Sequence, residues 1–221
     1  MLTVTGSKSG GRKGEAGFSL IELMVAIGVT LIIMVVASRL LSMSMIVRQR
    51  ENQRAEAVSD VQRALQAMSR ELANAGLGMR NNGLVAADSD DTSIRIRSNL
   101  NAICSTALAC DSDTSDAGED IAYAIITDTD DSGAQQRLIT RQDLNNGNSI
   151  SPLANRIDEL KFEYFKTDGT TTLDASLAQK VKITVTVTLP AVGRQGQPGY
   201  QPPSQMQLNS EVVLRNLLLN S

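Results

Sequence analysis

One carboxylate stands where a carboxylate is costly. Glu22 lies five residues into a run, Phe18 to Ser38, that is otherwise apolar apart from a few Ser and Thr. In hydrocarbon such a group costs several kcal/mol unless it is paired. Left unpaired, Glu22 is simply a tolerated charge near a membrane interface. Other residues that could do chemistry are few. Cys104 and Cys110 lie six apart in a Ser/Thr/Asp-rich stretch, and the chain has no His. Two Cys without His make no standard zinc site. A short disulfide is expected if this part lies outside the cytoplasm, worth about 2 kcal/mol in the chain-entropy model; two free thiols are the alternative. Asp128-x-Asp130-x-Ser132-Gly133 places oxygen donors at positions 1, 3 and 5 of a calcium loop with Gly at 6, but Ile139 stands where the bidentate Glu belongs. A plain hairpin turn is the expected structure there, with Asp128, Asp130 and Ser132 kept as a weak calcium candidate.

No nucleophile–base pair is legible, and without His the commonest general base is missing. The chain is not expected to be an enzyme, nor to carry a cofactor. Formal net charge is −3, and from Leu77 onward 12 basic residues face 18 acidic ones. Direct nucleic-acid binding by bulk electrostatics is disfavoured. The acidic run Asp111 to Asp120 is expected to be a solvated loop.

The elements that must position these residues follow from periodicity. Residues 1–17 are polar, Gly/Ser-rich and basic, with Lys8, Arg12 and Lys13. The 21 residues from Phe18 to Ser38 make about 31 Å of helix, the thickness of a bilayer core. The run is too long for a secretory signal and continues through Leu40, Leu41, Met43 and Met45 into a charged helical segment, as a retained anchor would. Val58, Val61, Leu65, Met68, Leu72 and Ala75 recur at steps of 3 and 4, one face of a helix, while Arg63, Arg70 and Glu71 lie off that face. Gly76 and Gly78 end it. One helix from about Phe18 to Ala75 is expected.

Strand signals follow. Ile94 and Ile96 alternate with Arg95 and Arg97, and Ile121–Thr127 and Arg137–Arg141 flank an Asp/Gly turn. Leu160, Phe162 and Tyr164 alternate with polar residues, as do Val181 to Leu189. Pro190, Pro198, Pro202 and Pro203 bracket a Gly/Gln-rich loop, and a last apolar segment runs from about Leu208 to Leu219. One long helix and then strands predict an α+β chain, with the helix stripe packed on an antiparallel sheet.

Gly17-Phe18-Ser19-Leu20-Ile21-Glu22, behind a basic leader and ahead of a membrane-length helix, resembles the processing motif of type IV prepilins. The resemblance implies the type IV pilin fold. It implies cleavage between Gly17 and Phe18 by a prepilin peptidase/methyltransferase, N-methylation of Phe18, and a mature chain of 221 − 17 = 204 residues. It also implies that Glu22 pairs with the Phe18 amine of a neighbouring subunit during assembly. Val61 to Leu72 with Ala75-Gly76, and Glu211 to Asn216, resemble PilW-like minor pilins and the related J-type pseudopilins of type II secretion. Arg39 stands at the twenty-second mature residue, where major pilins commonly carry a helix-kinking Pro, which favours a low-copy subunit.

The organisation expected is a leader over 1–17, a transmembrane and assembly helix over 18–38, its amphipathic continuation over 39–76, and a periplasmic β-rich domain over 77–221. The expected partners are the peptidase, other major and minor pilins, and an inner-membrane assembly platform. The expected place is a single pass of the bacterial inner membrane, then the pilus. A type II secretion pseudopilin and a pilus-tip adhesin are the alternatives. Charge counting does not orient the span, because Arg39, Arg48, Arg50 and Arg54 follow it closely.

Overall fold

The computed structural model describes residues 18–101, 113–129, 133 and 135–216. Helix α1 runs Leu20–Asn74, 55 residues without a proline and with Gly28 as its only glycine. The chain divides into two compact units, Met1–Met45 and Ile46–Ser221.

In the first unit, the large apolar side chains of α1 from Leu20 to Val36 stand more than half exposed. The polar hydroxyls of this stretch bond back along the helix: Thr30 donates to the Ala26 carbonyl at 2.7 Å and Ser42 to the Ser38 carbonyl at 2.9 Å. Such back-bonding satisfies hydroxyls where no water can. By length and composition this helix can cross a membrane.

In the second unit, α1 buries one stripe: Val61, Ala64, Leu65, Met68 and Leu72. Val58 is only half-buried. The helix ends at Asn74, and Gly76 and Gly83 then let two backbones cross. The Gly76 N–H donates to the Arg97 carbonyl at 2.9 Å, and the Arg97 N–H to the Gly83 carbonyl at 2.7 Å. Both glycines have positive φ, and a Cβ on Gly83 would lie 2.1 Å from the Gly76 nitrogen. No other residue fits that crossing.

The strands are β1 Ser93–Arg97, β2 Asp120–Thr129, β3 Gln135–Asp143, β4 Ser149–Ala154, β5 Glu159–Phe165, β6 Thr171–Thr172, β7 Lys180–Leu189 and β8 Ser204–Val213. All pairings are antiparallel. The α+β layout, one long helix packed on antiparallel strands, is as the sequence predicts and is consistent with the type IV pilin fold. The single sheet is not: among the described residues there are two, ordered β1-β2-β3-β4 and β6-β5-β7-β8.

The split falls at 155–158, where Arg156 takes φ 56° and the chain changes partners. The Ile157 N–H bonds the Arg137 carbonyl of β3, and the next N–H, of Asp158, bonds the Thr186 carbonyl of β7. The best alternating run in the sequence is β7, central in its sheet, with Val181, Ile183, Val185, Val187 and Leu189 all buried. The last apolar segment begins inside strand β8, which starts at Ser204 and ends at Val213. One core joins the α1 stripe to both sheets, through Ile94, Tyr123 and Ile139 on one side and Phe162, Ile183 and Val185 on the other.

Candidate functional site

Phe18 and Ser19 precede α1, and Phe18 is 83% exposed. Glu22 falls in the first helical turn, where unpaired N–H groups and the helix dipole favour an anion. Its neighbours Leu20, Ile21, Leu23 and Met24 are all exposed and apolar. The first helical bond runs from the Leu23 N–H to the Ser19 carbonyl at 3.1 Å. So the end of the helix presents an apolar surface with one acidic group, close in sequence to where Gly17 meets Phe18. Gly17 itself lies outside the described residues, as do Cys104 and Cys110 and, from the calcium candidate, Asp130 and Ser132.

Asp128 is placed. It stands in β2 opposite Gln136 of β3, and its carboxylate accepts from the Thr129 N–H at 2.8 Å. The β2–β3 ladder continues to Thr129↔Gln135. No cluster of three metal-ligating side chains occurs among the described residues.

Residues 12–38 match the family model for the prokaryotic N-terminal methylation motif. The chain carries the signal of type IV pilins and pseudopilins. The matched stretch takes in Gly17, Phe18, Glu22 and the apolar half of α1, up to the residue before Arg39. No curated protein matches the chain. The methylation motif implies processing by prepilin peptidase and assembly with other pilins, and the exposed apolar helix fits a membrane-anchored pilin.

Sequence reasoning missed two polar centres in the second unit, one tying α1 to the first sheet and one tying β1 to β2. Glu71, which lies off the apolar stripe, is half-buried between α1 and the first sheet. Its carboxylate accepts from the Tyr123 hydroxyl and from Arg141 Nε at 3.0 and 3.2 Å. Burial pushes the Tyr123 hydroxyl well above its ordinary range, and the charge of Glu71 adds to that, so the phenol stays a donor. Burial alone would lower Arg141, but Glu71 outweighs it and the guanidinium rises. A signal for this centre exists in the sequence: Arg141 shares its strand face with Ile139, and an arginine on a core face needs an anion.

The second centre corrects the solvated-loop expectation for Glu119 and Asp120. Both are buried. Asp120 accepts from Arg95 Nε and Nη2, each at 2.7 Å, and from Arg97 Nε at 2.8 Å. Burial would raise its carboxyl, but the bonds and charges of the two arginines hold it below the usual range. Glu119 accepts the Leu100 N–H at 2.7 Å and the Asp116 N–H at 3.1 Å. The alternation Ile94-Arg95-Ile96-Arg97 places both arginines on one face of β1; their counter-ion is the last acid of the run.

Proposed function

We propose that this chain is a PilW-like minor pilin that primes or supports assembly of a type IV pilus. The observation that carries this is the methylation motif continuing into a Pro-free helix with Arg39 directly after the apolar stretch. A charge there is costly in a shaft packed from many copies and tolerable in a subunit used sparingly.

In this reading prepilin peptidase cuts between Gly17 and Phe18 and methylates Phe18. Residues 18–38 anchor the chain in the inner membrane, 39–76 continue the helix, and 77–221 form the periplasmic domain. Cys104 and Cys110 form a disulfide in that domain. Glu22 supplies the counter-charge for a neighbour's new amine, since pairing strengthens steeply as the dielectric falls. Subunits then leave the membrane through the assembly platform for the pilus. The role is structural and needs no cofactor.

The test is deletion of the gene, with surface pili counted and type II secretion assayed in the same strain. Loss of pili with secretion intact is the expected result. Intact pili with failed secretion would assign the chain to the pseudopilins instead.

A further inference from the structure

Three of the four outer sheet edges are closed to another strand. Beside β1, residues 83–85 bond Arg95 and Arg97 and bridge Leu84 to Ile96. Strand β4 carries Pro152 and a register shift at Ile139/Thr140. Strand β6 has two residues. These are the usual ways of blunting an edge. The outer edge of β8 has none of them. It pairs with β7 over ten consecutive residues without a shift, contains no Pro and no Lys, and carries one charge, Glu211.

Two bonds fix which groups it presents. The Leu214 N–H points to the Gln179 carbonyl, and the Thr186 carbonyl points toward β5. Alternation along the strands then turns the N–H and C=O groups of Gln205, Gln207, Asn209, Glu211 and Val213 away from β7. Among the described residues no backbone group bonds them.

A second copy paired antiparallel does not fit this edge. Arg50 bonds the Ser204 hydroxyl at 2.6 Å, Ser69 bonds Ser210 at 2.9 Å, and Asn216 bonds the Ala75 carbonyl at 3.0 Å. Helix and strand therefore run side by side in one direction. Antiparallel pairing of two β8 edges would set the two α1 helices in opposite directions. Two chains anchored by their N-termini in one membrane cannot adopt that, an exclusion that rests on the anchored-pilin reading above.

A free extended tail can use the edge, and the charges say which end of it. At the start of β8 a cavity of about 380 Å³ is bordered by Arg50, Glu51, Arg54, Ser204 and Gln205. Arg50 is occupied by the Pro190 and Pro202 carbonyls and Ser204. Arg54 is exposed and makes no ion pair with a described residue. A strand added antiparallel to β8 ends its chain at Ser204, beside Arg54.

We propose that β8 captures the carboxyl-terminal tail of a partner polypeptide as an added antiparallel strand, its backbone on Gln205 to Val213 and its terminal carboxylate on Arg54. Main-chain bonds supply the affinity in strand addition, and the arginine selects a free chain end.

The probe is a positional-scanning library of octapeptides, each as free acid and as amide, against the full chain in detergent micelles. Free acids are expected to bind at least tenfold tighter than their amides and to slow hydrogen exchange at Gln207 and Asn209. Arg54→Gln should remove the difference between acid and amide. Gln207→Pro should abolish binding of both while leaving the β7 ladder intact, since that N–H faces outward; an unchanged melting temperature checks the fold. No binding, equal binding of acid and amide, or wild-type binding by Gln207→Pro overturns the proposal. None of these outcomes depends on whether the deletion strain loses pili or secretion.

Discussion

The two halves of α1 share one backbone geometry and obey opposite rules. From Leu20 to Val36 nearly every large side chain is apolar and exposed; from Val61 to Leu72 the apolar residues recur at helical spacing and are buried. The first half is specified by its solvent. Length and apolarity are all that a bilayer asks of it, so any large apolar residue serves at most positions. The second half is specified by its neighbours, because each buried position meets particular side chains of two sheets. Substitution should therefore be cheap along the first half except at the few residues that do chemistry, and costly along the second wherever a side chain is buried.

The largest effect expected is at the processing site. A bulky replacement such as Gly17→Trp should block removal of residues 1–17 altogether, whereas Gly17→Ala should slow it little. Mass spectrometry of membrane-extracted protein reads both. An intact leader on the wild-type chain in cells with active prepilin peptidase, or a cut after residue 38, would sink the assignment.

Next comes the buried stripe. Met68→Ala should cost roughly 2–5 kcal/mol in denaturant unfolding of the second unit, with membrane insertion unchanged. Met34→Ala, in the exposed half, should leave that unfolding transition where it was. Equal sensitivity at the two positions would erase the contrast between the halves.

A smaller loss is expected at Asp120. Asp120→Asn removes the charge shared by Arg95 and Arg97 and should cost roughly 1.5–3 kcal/mol, the range for hydrogen bonds to charged groups. The sign with pH follows from the depressed carboxyl. A group held lower in the folded than in the unfolded chain stabilises fully above its unfolded value, and that stability is lost as pH falls through the folded one. Wild type and Asp120→Asn should thus converge in stability in acid and diverge toward neutral pH. Parallel melting curves from neutral pH down to pH 2 would show that the carboxylate does not contribute this way.

Both halves of the helix are legible in the amino-acid sequence because their signals are local. The apolar run, the buried stripe, and the strands around Ile94, Phe162 and Ile183 each show a pattern of constant apolarity or of period 3.6 or 2. The methylation motif is legible because it is contiguous. The split into two sheets is not, since it turns on one residue, Arg156, taking a left-handed conformation that nothing in its neighbourhood announces. The Glu71–Tyr123–Arg141 and Asp120–Arg95–Arg97 centres escape notice for a related reason. Their bonded partners lie 23 to 70 residues apart, and a charged side chain looks solvated until its partner across the fold is known. The open edge of β8 is hidden in the same way: an edge is a property of the sheet order, which the sequence of one strand does not contain.

The smallest effect on stability, and the one that separates anchoring from assembly, is expected at Glu22. It sits in the half where substitution should be cheap, so Glu22→Leu should leave expression, processing and insertion intact. Insertion should improve slightly, because an unpaired carboxylate in the bilayer is costly. Assembly should suffer, because the incoming subunit no longer offers a counter-charge to the Phe18 amine of its neighbour, in a setting where little solvent screens the pair. A subunit used in few copies meets this requirement at few contacts, so the defect should be partial: reduced co-purification with partner pilins and fewer filaments at normal protein level. Wild-type partner binding and filament number in the Glu22→Leu strain would place Glu22 with the interchangeable residues of the first half rather than apart from them.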